Sequence, residues 1–124
     1  EKARAKKWLK DYEESSLLLR AEWERIEGVE DSRKISEMLL SAALIRFKLG
    51  MKERARRLLL LAREIGRWNS EIHKAILKVF QGVEFTFDRI HSLEALVRLM
   101  PDDLEVSKAR QLEYLNIGCT PPKD

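Results

Sequence analysis

A chain of 124 residues, 44% apolar and 36% charged, is long enough to bury a core. Its net charge of +3 is too small to bind nucleic acid by bulk charge alone, so any electrostatic role needs local clustering. No apolar run approaches the roughly 20 residues of a membrane-crossing helix, and the single cysteine, Cys119, excludes an internal disulfide or a cysteine-built zinc site.

Helix formers dominate, and the five glycines and three prolines act as punctuation. The expected fold is all-α: about six helices in stacked antiparallel hairpins, as a short α-solenoid or a helical bundle, within one domain over 1–124. Asn and Gln are scarce while Arg, Glu and Leu abound, a balance typical of heat-adapted (thermophilic) proteins. The opening EKARAKKWLKDYEE lacks the apolar region of a secretory signal, so a cytoplasmic location is expected.

The first predicted helix covers residues 3–27. Trp8, Tyr12, Leu19 and Trp23 recur along one stripe at spacings of three and four. Tryptophans on such a stripe serve as core or interface anchors, so these four are candidates for a homodimer contact. The second helix runs over about 32–49, after the cap candidates Asp31 and Ser32. Leu49-Gly50 is its turn, and a third helix follows over 52–65. A fourth starts at the caps Asn69 and Ser70 and ends at Gln81-Gly82. VEFTFD (Val83–Asp88) reads as a loop leading into a fifth helix, about 88–100, with Thr86 or Asp88 as cap. The sixth covers about 103–117, opened by Asp102 and Glu105 at capping-box spacing after Pro101.

A shift of 32 residues carries Ala43 onto Ala75, Gly50 onto Gly82, and Leu58, Leu61 and Ile65 onto Ile90, Leu93 and Val97. The pattern predicts two helix-turn-helix repeats, about 36–66 and 69–101, flanked by the helices at 3–27 and 103–117. In the first repeat, Ala43, Leu49-Gly50, Ala55, Leu59 and Ala62 stand at the spacing of the tetratricopeptide repeat, which this stretch resembles. MPDD (Met100–Asp103) is similar to the proline that closes such a repeat. Phe87 and Glu94 depart from the pattern in the second. The resemblance implies a solenoid-like stack used for protein–protein interaction.

A second resemblance joins LSAALIRFKLGMKERARRLLLLAREI, HSLEALVRL (His91–Leu99) and LEYLNIGCTPP. Together they are similar to HEPN domains, small helical bundles of which some cleave RNA with an Arg and a His four to six residues apart. Arg67 and His73, in RWNSEIH, have that spacing. The resemblance implies an RNA-binding or RNA-cleaving domain that uses these two residues.

The third helix also carries a basic cluster. At about 100° per residue, Lys52, Arg56, Arg63 and Arg67 fall within roughly 60° of one another. An apolar arc that includes Ala55, Leu58, Leu59, Leu61, Ala62, Ile65 and Trp68 is expected opposite. Such a ridge is a solvated face, a docking strip for an acidic protein or a phosphate-binding strip. Nucleic-acid readers add exposed aromatics, which the ridge lacks, so nucleic acid is the less favoured partner. No nucleophile elbow, phosphate-binding glycine loop or metal cluster is present in the sequence. These readings favour a non-catalytic scaffold or adaptor without cofactor or metal, binding a protein or a second copy of itself. The RNA-directed reading is the alternative.

Overall fold

In the computed structural model, residues 29–122 are described. They divide into two compact units with the boundary at Gly66/Arg67. Five α-helices and one short 3-10 turn make up the described residues, with no strand among them, so the fold is all-α. The helix expected over 3–27, with Trp8, Tyr12, Leu19 and Trp23, lies outside the described residues.

The first unit contributes a hairpin of α1 (Val29–Lys48) and α2 (Lys52–Ile65), packed against each other. α1 begins earlier than expected, so Asp31 and Ser32 lie within the helix and do not cap it. The turn is the expected Leu49-Gly50. Gly50 adopts φ +83°, its N–H donates to Phe47 O at 3.0 Å, and Met51 N–H donates to Arg46 O at 2.9 Å. These two bonds satisfy carbonyls that the helix end leaves open, and the left-handed conformation they require favours glycine. α1 buries Ile35, Leu39, Ala42 and Ala43, and α2 buries Ala55, Leu59 and Ala62, spaced by four and three along one face.

The second unit holds α3 (Ser70–Val79), α4 (Thr86–Leu99) and α5 (Leu104–Asn116), with α4 packed against both others. Asn69 caps α3 as expected, its side-chain oxygen accepting from Glu71 N–H at 3.0 Å. Between α3 and α4, Val83–Phe85 form a 3-10 turn where a plain loop was expected. That turn feeds directly into α4 and replaces the side-chain cap. Thr86 is the first helical residue, and its hydroxyl donates backward to Val83 O at 2.7 Å. The cap of α5 is Asp103, one residue later than expected. Its carboxylate accepts from the N–H groups of Glu105 and Val106.

Leu93 and Leu96 of α4 and Val106 of α5 form the core here, with Leu77, Val97, Met100 and Ala109 packed around them. Each large apolar side chain buried this way contributes about 1.5–3 kcal/mol. Phe80 and Phe85 close the α3 end edge to face, with centroids 5.4 Å apart. Arg89 ties this corner together. It donates to the carbonyls of Phe80 and Gly82, both at 2.7 Å, and through Nε to Glu113 at 2.8 Å.

Burial does not repeat at 32 residues. Leu39, Ala42, Ala43 and Arg46 correspond to Ile72, Ala75, Ile76 and Val79, a shift of 33. In the second helices, Ala55, Leu59 and Ala62 correspond to Thr86, Ile90 and Leu93, a shift of 31. The glycine turns and the buried pair Ala43 and Ala75 keep the shift of 32. The six-residue connection with its 3-10 turn resets the helical phase, so Phe87 is 74% exposed where Ala55 is fully buried.

Candidate interaction surfaces

The basic cluster sits differently on α2 than the wheel implies. The buried stripe is centred on Ala55, Leu59 and Ala62, which puts Lys52, Arg56 and Arg63 on its shoulder and not opposite it. Arg56 and Arg63 are accordingly half-buried. Leu61, expected inside, is exposed, and Leu60 is half-buried. The outward face of α2 carries the Glu53–Arg57 ion pair at 2.7 Å. α2 ends at Ile65, so Arg67 lies in the following turn and is not on the helical ridge. Arg56, Arg63 and Arg67 each already take part in a contact of their own. Trp68, placed inside by the sequence, is exposed.

Arg67 and His73 come together, but through the main chain. The Nε2 of His73 lies 2.8 Å from the Arg67 carbonyl oxygen. A carbonyl only accepts, so Nε2 carries the proton and donates. The ring is 1% exposed and Arg67 is exposed at the surface. His73 therefore pins the turn that starts α3. In the last turn of α1, Arg46 is buried, and its Nε meets no hydrogen-bond partner among the described residues. Its charge complements the negative end of that helix.

The α4–α5 seam holds a half-buried polar network. Glu94 of α4 accepts from Arg110 Nε at 2.6 Å and from the Tyr114 hydroxyl at 2.9 Å. Arg110 is buried, and its guanidinium carbon lies 5.6 Å from the Tyr114 ring centroid. Burial pushes the Glu94 carboxyl up, but hydrogen bonds from Arg110 and Tyr114 outweigh it, with the charges of Arg110 and Arg98, and hold it below its ordinary 4.5. Burial, then the hydrogen bond and charge of Glu94, raise the Tyr114 phenol above its ordinary 10.0.

The opposite side of α5 is apolar and exposed. Leu104 is 73% exposed, Leu112 59% and Leu115 68%, with Lys108 among them. Spacings of four, four and three put these residues on one face. The sequence carries this signal, because α5 has apolar residues on two sides, Val106 and Ala109 as well as the leucines. Among the described residues α5 packs on α4 through the first stripe, and the second stays exposed.

Among the described residues no three His, Cys, Asp or Glu side chains gather as metal ligands. None of the described helices is long and apolar enough to cross a membrane. The geometry defines an all-α protein of packed helical hairpins. No protein-family model, curated protein or solved structure matches the chain.

Proposed function

We propose that the chain is a non-catalytic helical scaffold that binds a partner protein, and that the outer face of α5 receives an amphipathic helix of that partner. The carrying observation is the exposure of Leu104, Leu112 and Leu115 on one narrow face. Exposed leucines scattered singly need no explanation, but aligned at helical spacing they match the seam that one helix offers another. Lys108, inside the stripe, suits an acidic residue at the edge of the partner helix. The tetratricopeptide-like pattern of the first hairpin supports the same class of role.

The RNA-directed alternative rests on Arg67 and His73. It draws less support from the geometry, because a buried imidazole committed to a main-chain carbonyl is poorly placed to move protons on a substrate.

The test is affinity capture with the purified chain, identification of the captured protein, and reconstitution of the pair. Leu112→Lys with Leu115→Lys is expected to weaken the purified pair at least about tenfold with helicity unchanged. Unchanged affinity, or no protein retained by the wild-type chain, overturns the reading.

A further inference from the structure

Beyond α5 the chain doubles back. Gly118 takes φ +74°, its N–H donates to Leu115 O at 3.0 Å, and Cys119 N–H donates to Tyr114 O at 2.9 Å. These bonds reverse the chain at the helix end. Four residues after Gly118, the carbonyl of Pro122 accepts from Arg110 Nη2 at 3.0 Å. Arg110 lies one helical turn before Tyr114, so the strap 118–122 runs back along α5.

The groups that receive the strap are rigid. Glu94 holds both Arg110 and Tyr114, so a buried fixed donor and an aromatic ring stand one turn apart on the same helix. The strap itself reads Gly-Cys-Thr-Pro-Pro. Two successive prolines present carbonyls and no N–H, so they ask a surface for donors and ring faces only. A fixed donor beside an aromatic is the chemistry that recognises extended proline-containing segments.

The strap is also lightly held. Cys119, Thr120 and Pro122 are exposed and Pro121 is half-buried. Beyond the two bonds that end the helix and the long Cys119 Sγ–Ile117 O contact of 3.8 Å, the bond from Arg110 ties it to α5. A segment with so little buried surface opens at low cost, and its prolines reduce the entropy lost on reseating.

We propose that the strap 118–122 is a displaceable internal occupant of the Arg110–Tyr114 seam, and that the competing occupant is an extended proline-containing segment of a partner protein. The proposal rests on the scaffold reading only in taking the partner to be a protein. It uses a different surface from the leucine face.

The probe is a fluorescent peptide with the strap's own sequence, IGSTPPK, in which serine replaces the cysteine. Its binding to the full chain is followed by anisotropy. In the wild-type chain the strap competes from within. In a chain carrying Pro121→Gly and Pro122→Gly the strap is loosened, and the peptide is expected to bind at least about tenfold more tightly. Adding Arg110→Lys removes that gain, because an ammonium does not reproduce the guanidinium fork. A peptide with both prolines replaced by alanine binds at least about tenfold more weakly, a control that needs no change to the protein. Absence of saturable binding to the loosened chain, equal binding to wild-type and loosened chains, or equal binding of the alanine peptide each overturns the proposal. Failure here leaves the leucine-face reading standing. Unchanged partner affinity in the leucine variants overturns that reading and leaves the peptide result standing.

Discussion

Gly50 and Gly82 occupy corresponding turns but carry different constraints. Gly50 has φ +83° with open space where a Cβ would sit, so Gly50→Ala costs only the backbone penalty, about 1–2 kcal/mol. Gly82 has φ +116° with ψ 156°, a region nearly confined to glycine, and a Cβ there would meet the Glu84 carboxylate at 2.7 Å. Gly82→Ala is expected to cost about 1–3 kcal/mol in urea unfolding. Adding Glu84→Ala recovers only the part due to the clash. Equal losses at the two glycines would contradict this account. Both turns were legible in the sequence as breaks between helical stretches. The difference between them was not, since it depends on ψ and on where Glu84 folds.

At the scale of the element, the pairing of α4 with α5 makes stability depend on pH. Glu94 is held below its ordinary 4.5, so its contribution is fully present above that value and is lost as pH falls through the lower folded value. Tyr114 is raised above 10.0, so its contribution is present below that value and is lost as pH rises through the higher folded value. Urea titrations across pH are expected to show both losses. Glu94→Gln removes the part of the acid loss that Glu94 contributes, and Tyr114→Phe the corresponding part of the alkaline loss. Curves that keep their wild-type shape in both variants would count against the network. The sequence displayed Arg110 and Tyr114 at one-turn spacing but gave no sign of Glu94, which lies 16 residues from Arg110. Helical period also misjudged α2. It identified Ala55, Leu59 and Ala62, all buried, but it set the cations opposite the core and carried Arg67 past the helix end. Periodicity gives relative angles on a helix, while the packing partner decides which direction is inward.

For the whole molecule, the charged fraction of 36% invites an explanation of stability by ion pairs. Among the described residues the pairs fall into two kinds. Glu53–Arg57 and Glu71–Lys74 are solvent-exposed, and such pairs are screened and worth little. Arg89–Glu113 and Arg110–Glu94 have side chains 11–25% exposed and are screened far less. Raising salt from about 0.1 to 1 M is therefore expected to change the unfolding free energy by less than about 1 kcal/mol. A loss well above about 2 kcal/mol would show that dispersed surface pairs dominate.

What the sequence determined alone is local. It specified an all-helical chain, the extent of α2, the glycine turns and the Asn69 cap, because helical period, left-handed φ and capping chemistry act within a few residues. The tertiary structure decided which stripe of each helix went inside. α5 could have buried Leu104, Leu112 and Leu115, yet it turned Val106 and Arg110 toward α4 and left the leucines exposed. The physical reason lies on the neighbouring helix. Leu93 and Leu96 offer Val106 an apolar seat, and Glu94 offers Arg110 and Tyr114 a carboxylate that no spacing within α5 encodes.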